Sequence, residues 1–487
     1  MFFNSLSFAI FLPIVFFSYW FLTSKKLKIQ NIILLISSYY FYACWDWRFL
    51  FLLLFSTLLD FYSGIKISDA SKKSSKKIWF WLSIGINLGF LAFFKYYNFF
   101  IESFSDGLEK LGINVNLWTL QIILPVGISF YTFHGLSYVI DIYKERIKPE
   151  RNLINYSVFV SFFPLLVAGP IERATHLLPQ IKAEKHFKYS QAISGLRQIL
   201  WGLFKKVVIA DQCAEYANLI FNNSTEYSGL MLVAGAIFFA FQIYGDFSGY
   251  SDIALGTARL FGLELMQNFS FPYFSRDIAE FWRRWHISLS TWFRDYLYIP
   301  LGGSEGGINK KIRNTFIIFI VSGFWHGANW TFIFWGALNA LFFLPLLIKN
   351  KNRNNLEIVA QGKLLLSFKE FTQVVSTFFL VCFAWIFFRA KDLNHAFVFI
   401  KDLFKGLFSK EGYKEFVDLF SKNEVLILIL LIVFFIFIEW IGRENKFALQ
   451  NIGKKWYKPI RYTFYYLLLI AIFWFSGKDQ QFIYFQF

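Results

Sequence analysis

Charge is scarce in this chain: Asp, Glu, Lys and Arg make up 17% of its 487 residues, against about 25% in a soluble domain. With 56% hydrophobic residues, that deficit excludes an ordinary water-soluble protein and implies an integral membrane protein with many spans. Cysteine is scarce too. Cys44, Cys213 and Cys382 lie scattered in apolar or amphipathic segments; they fit no metal spacing, imply no disulfide framework and read as buried, inert thiols. There is no His-Glu-x-x-His and no cluster of ligand residues, so no metal centre is expected. No Gly-x-Ser-x-Gly occurs, which argues against a serine acyl-enzyme of the hydrolase type. No internal repeat is visible, so the inverted-repeat signature of many transporters is missing. The first apolar segment, Leu6–Leu22, runs up to Lys25-Lys26 without a small-residue cleavage site and reads as a first span rather than a signal peptide.

What the chain has is long apolar runs, aromatic residues at 22% and a net charge of +17 from 49 basic and 32 acidic residues. In a soluble chain that charge would suggest nucleic acid. Here basic residues hold loops on the cytoplasmic side, and no nucleic-acid partner is expected. A span needs about 20 apolar residues. Candidates are 6–22, 29–44, 49–65, 78–100, 117–142, 153–168, 192–221, 230–247, 312–325, 330–348, 374–388, 425–441 and 462–475. Residues 153–168 end in Gly169-Pro170 between basic loops and read as re-entrant. The fold class is therefore all-α, with about 11–13 transmembrane or re-entrant helices, in a single membrane-embedded domain over 1–487. Basic loops after the first and third spans, at 144–151, 173–188, 276–294, 310–313, 349–363 and 443–461, all lie inside if the N-terminus is outside. The loop 222–228, the stretch 389–424 and the C-terminal tail then fall outside. Residues 267–307 mix arginines with Phe, Trp and Tyr and read as amphipathic helix and loop at the cytoplasmic interface.

The chain has six histidines, and two sit where packing alone would not place them. His286 lies in Phe281-Trp-Arg-Arg-Trp-His286, and His326 in Gly323-Phe-Trp-His326-Gly-Ala-Asn329. An ionisable group inside a membrane is costly and usually faces a polar cavity or has a task. Histidine is suited to proton transfer near neutral pH. With His326 starting 14 residues after Ile312, it falls roughly 21 Å along its helix. Gly323 and Gly327 permit close approach of another backbone or a substrate. A histidine that deprotonates a hydroxyl as it attacks a thioester is the simplest acyl-transfer device; a histidine bonded between helices for packing is the plain alternative. Arg283 and Arg284 suit either the phosphates of a nucleotide-bearing donor or anionic lipid head groups. Asp246 and Asp252 end an apolar span among several hydroxyls. Structural ion pairs are the favoured role for both, with arginines of 276–294 as candidate partners.

These stretches resemble one family, the membrane-bound O-acyltransferases, in their bacterial alginate O-acetyltransferase-like branch. The match rests on 162–171 (Phe-Phe-Pro-Leu-Leu-Val-Ala-Gly-Pro-Ile), 205–211 (Lys-Lys-Val-Val-Ile-Ala-Asp), 242–252, 281–303 with Arg-Asp-Tyr-Leu-Tyr-Ile-Pro-Leu-Gly-Gly at 294–303, and 323–329. The core of the resemblance spans about 125–345, with C-terminal helices and a tail over 371–487. The resemblance implies a catalytic His326, with His286 as the second family histidine, and funnels from both membrane faces meeting near His326. Trp285, Trp325, Asn329, Asp246, Arg283 and Arg284 are the candidate substrate-binding residues. No bound cofactor is implied. The donor would be acetyl-CoA or another acyl thioester from the cytoplasm, and the acceptor an extracytoplasmic polysaccharide such as alginate, peptidoglycan or cellulose. D-alanyl transfer to teichoic acid from a carrier-protein thioester is the alternative within the class. A proton-coupled glycan or lipid transporter is the alternative outside it. The tail Phe482-Ile-Tyr484-Phe-Gln-Phe487 matches a Phe-x-Tyr-x-x-Phe motif thought, in related envelope-acylation systems, to carry the acyl group on its tyrosine. Tyr484 would then pass the group to a separate extracytoplasmic hydrolase-like acetyltransferase. The plain reading of the tail is an aromatic interfacial anchor in membrane lipid. The implied location is the bacterial cytoplasmic membrane, with both termini outside.

Overall fold

A computed structural model describes residues 1–22, 26–113, 119–167, 169–477, 480 and 482–483. Among the described residues the chain is helical and contains no strand. Six helices among the described residues are long and apolar enough to cross a membrane: Arg48–Asp69, Lys73–Glu109, Leu230–Leu260, Trp330–Ile348, Phe368–Arg389 and Asn423–Gly442. Their backbone amides and carbonyls bond within each helix, the condition a hydrocarbon environment imposes. Other predicted segments are helical but shorter or interrupted. The segment 153–168 is a nine-residue helix, Leu153–Ser161, a break at Phe162 and one turn at Phe163–Leu166, too short to cross and in keeping with re-entry. The expected span 117–142 begins only at Ile128, because Pro125 and the left-handed Gly127 (φ 74°) precede it. The expected span 192–221 is broken by a seven-residue π-helix, Phe204–Ala210. The stretch 389–424 carries two helices, Leu393–Gly406 and Lys410–Phe420. Cys213 and Cys382 are buried as expected, whereas Cys44, on helix Leu27–Asp46, is exposed rather than buried.

The chain divides into two compact units, residues 1–195 with 257–266, and residues 196–256 with 267–487. In the first, helices Arg48–Asp69, Lys73–Leu91 and Ile128–Tyr143 pack on one another. Buried Asp60 accepts hydrogen bonds from Ser83 Oγ at 2.6 Å and Asn87 Nδ2 at 2.7 Å, as a buried carboxylate must. Its loops are tied by Arg151–Asp69 at 2.5 Å, Lys182–Glu150 at 2.9 Å and Lys76–Glu145 at 3.3 Å.

In the second unit, arginines hold the loops. Arg443 donates to the carbonyls of Val359, Ala360 and Lys363, and Arg283 to those of Asn352 and Asn355. Elsewhere in it, Ser224 bonds His395 at 3.0 Å and Arg389 bonds Asn218 at 2.7 Å. So 276–294, 350–363 and 443–461 form one loop group, and 218–224 with 389–395 another. Two helices cross here on paired glycines. A Cβ on Gly202 would lie 2.6 Å from the Gly249 carbonyl oxygen, and one on Gly249 2.8 Å from that of Gly202. That approach sets the π-helix against helix Leu230–Leu260.

Candidate active site

Helix Gly307–His326 ends on His326, and the chain restarts as helix Trp330–Ile348. Asn329 fixes the restart: its Oδ1 accepts from Thr331 N at 3.0 Å, and its Nδ2 donates to the Lys391 carbonyl at 2.9 Å. Two glycines let this hairpin close. A Cβ on Gly323 would lie 2.1 Å from the Phe332 carbonyl oxygen, and one on Gly336 2.2 Å from that of Phe319. The hairpin therefore closes backbone on backbone and pins His326 at its turn end. The helix starts at Gly307 rather than Ile312, so His326 is the last of its 20 residues, about 28 Å along rather than 21 Å. Its first turn holds Asn309, Lys310 and Lys311, residues that an apolar pattern leaves out.

His286 is positioned differently. It sits between helices Ile278–Arg284 and Ile287–Phe293 at φ 43°, in the left-handed region. For a non-glycine residue that conformation costs on the order of 1–3 kcal/mol and persists where the surroundings over-determine it. Here they do. Ile287 N donates to Asn268 O at 2.9 Å, Ser270 N to Arg284 O at 3.0 Å and Ser288 Oγ to Asn268 Oδ1 at 2.5 Å. Asn268 Nδ2 in turn donates to Ser251 Oγ at 3.1 Å, on helix Leu230–Leu260.

The two imidazoles come together with ring centroids 6.3 Å apart, both buried. Trp325 touches both, at 4.9 Å from His326 and 5.9 Å from His286. Trp335 and Phe388 stand edge-on to His326 at 5.2 and 5.4 Å, and Phe247 edge-on to His286 at 4.7 Å. Burial pushes protonation of His286 down to about 3, so it is neutral at physiological pH. Apolar walls and two imidazoles suit proton transfer in a water-poor setting.

The other predicted residues divide. Trp285 stacks on Phe281 and meets the site through other rings: Trp385 at 5.1 Å, which itself stacks on Trp335, and Phe269 at 5.1 Å, which packs on Phe247. Arg283 holds the 352–355 loop, and Arg284 pairs with Glu280 at 2.8 Å. Asn329 is the helix cap already described. Asp246 and Asp252 are ion-paired as expected, but with lysines, not with arginines of 276–294, which are engaged elsewhere. Asp246 pairs with Lys206 at 2.8 Å and Asp252 with Lys205 at 2.6 Å. Asp252 also accepts from Gln198 at 2.7 Å. Tyr484 lies outside the described residues. The two residues before it do not: Phe482 packs on Tyr250 at 4.3 Å, and Ile483 N donates to Asp246 at 2.7 Å. Sequence reasoning missed Trp335, Trp385 and Phe388 as walls of the site, since one aromatic among 22% carries no signal. It also missed the roles of Lys205 and Lys206, although two adjacent lysines in an apolar helix are a signal of buried partners.

A family model, membrane-bound O-acyltransferase, matches residues 142–388, which contain both histidines. A protein of Pseudomonas aeruginosa named "Probable alginate O-acetylase AlgI" is 39% identical over 396 residues, 81% of this chain and 73% of its own length. The peptidoglycan O-acetyltransferase of Helicobacter pylori is 33% identical and covers 98% of this chain and 95% of its own. The teichoic acid D-alanyltransferase of Bacillus subtilis is 27% identical over 55% of this chain and 70% of its own.

Proposed function

The chain belongs to the membrane-bound O-acyltransferase family, and from that membership we propose that it moves acetyl groups from cytoplasmic acetyl-CoA toward an extracytoplasmic cell-surface polysaccharide. The observation that carries the reading is the histidine pair, two buried imidazoles at 6.3 Å in an aromatic box within the family-matched residues. His326 is the general base. It takes the proton of the attacking hydroxyl as the O–C bond to the acyl carbon forms; the C–S bond breaks, and the proton passes to the departing thiolate. The positive charge His326 acquires in that step develops at the carbonyl end of its helix, where the helix dipole favours a cation. His286 stays neutral beside it as a hydrogen-bonding group.

The polysaccharide assignment draws on the alginate and peptidoglycan relatives, which cover more of the chain than the D-alanyl relative does. D-alanyl transfer remains the second reading within the class; membership of an acyltransferase family sets the transporter alternative aside. The grouping of the basic loops 276–294, 350–363 and 443–461 supports a single cytoplasmic face, in a bacterial cytoplasmic membrane with both termini outside. The seating of Phe482 and Ile483 beside Phe247 supports Tyr484 as an acyl carrier that hands acetyl to an extracytoplasmic transferase partner.

His326→Ala and His326→Gln test the reading. Each is expected to reduce O-acetylation of the envelope polymer by roughly 10²–10⁴-fold, the usual cost of losing a general base, while the protein still inserts into the membrane. A normally inserted variant with wild-type polymer acetylation would overturn it.

A further inference from the structure

We propose that Lys206 and Asp246 form a clamp that seats the chain's own C-terminal segment beside the histidine pair, as positioning residues for the transfer. The purpose of the clamp rests on the carrier reading above; its existence is tested separately.

The π-helix Phe204–Ala210 places Lys206 in the interior, 1% exposed, against Asp211 at 2.7 Å and Asp246 at 2.8 Å. One cation thus faces two buried carboxylates. A buried carboxylate needs donors on both oxygens to offset lost hydration. Asp246 Oδ1 has Lys206; Oδ2 is met by the backbone N–H of Ile483 at 2.7 Å. Lys206 Nζ also donates to the Gln480 carbonyl at 3.2 Å. The network therefore grips the tail at two backbone points, one acceptor and one donor, three residues apart in sequence. Backbone contacts fix register without reading side chains, as in strand capture at a sheet edge. Phe482, between the two points, supplies an apolar anchor on Tyr250 and Phe247, at 4.3 and 6.2 Å. Phe247 is the ring that meets His286 at 4.7 Å. Tyr484 is the next residue in sequence after Ile483, so on the carrier reading the clamp acts one residue from the acyl-bearing tyrosine.

The test uses full-length protein with Cys44, Cys213 and Cys382 replaced. Cysteines at 218 and 480, positions whose side chains lie 3.5 Å apart and are not part of the anchor, are bridged with a short bifunctional thiol reagent. Efficient bridging is expected. Asp246→Asn and Lys206→Met should lower the bridged fraction roughly tenfold, the scale of losing a hydrogen bond to a buried charge, and Asp246→Glu should restore it. Ile483→Pro removes the tail's N–H without altering Lys206, Asp211 or Asp246; it should lower both bridging and polymer acetylation even where the Asp246 variants fail to fold. Unchanged bridging in Ile483→Pro would overturn the clamp. Tyr484→Phe separates the two ideas. It should bridge normally yet abolish acetylation. Normal bridging with full acetylation would leave the clamp standing and sink the carrier reading.

Discussion

His176 carries a pH response of its own. It sits on helix Ala174–Lys182, with Nδ1 2.8 Å from a carboxylate oxygen of buried Glu172. The hydrogen bond to Glu172 raises its pKa above the ordinary histidine value, against the opposing effect of burial. A group whose folded pKa is raised contributes stability below its unfolded value, near 6.5, and loses it as pH climbs through the folded value. His176→Gln should therefore lower the thermal midpoint in detergent at pH 5.5 and leave it unchanged at pH 9. An equal loss at both pH values would show that the ring matters by shape and not by charge. At this scale the sequence exposed part of the chemistry. His286 and His326 stood out because charge-capable residues are costly among apolar neighbours. Asp246 was visible for the same reason, but its partner was not. The arginines nearest in character, Arg283 and Arg284, bind Glu280 and loop carbonyls, whereas Lys206 arrives through a π turn. Lys206 and Asp211 are five residues apart, the hydrogen-bond spacing of that turn, and an α-helical reading has no place for it.

Among the helices, the hairpin of Gly307–His326 and Trp330–Ile348 is the one on which the site depends. Gly323→Ala puts a methyl group 2.1 Å from the Phe332 carbonyl oxygen, where backbone cannot yield cheaply. The expected cost is about 1–3 kcal/mol, read as a lower thermal midpoint, together with a loss of acetylation as His326 shifts against Trp335. Gly85→Ala is the control, since nothing lies within 4 Å of a Cβ there. Similar behaviour of the two variants would remove the hairpin from the explanation. The helices were largely legible because apolar runs of span length have few other fates. Their ends were not. Helix Gly307–His326 begins among polar residues, and 117–127 looked like span because Pro125 and Gly127 count little in a hydropathy average. The helices Leu393–Gly406 and Lys410–Phe420 were hidden by their balanced charge.

For the whole molecule, the charge of +17 is a statement about orientation. Ser74→Cys in a cysteine-free background should be labelled only from the cytoplasmic side, and Thr225→Cys only from outside. Labelling of residue 74 from outside would invert the topology and with it the donor side. The division into two units was not legible, because two of its three boundaries run inside helices, Tyr189–Leu203 and Leu230–Leu260. The helices that carry His326 are joined by three residues, so their contacts are among the most local in the chain, and local contacts form first. They are also consecutive in the chain, so the second leaves the ribosome directly after the first. The mount of His326 is then built early, as a self-contained piece. The box closes around it only when Trp385 and Phe388 have been synthesised and have docked, so an incomplete chain carries the histidine without its walls.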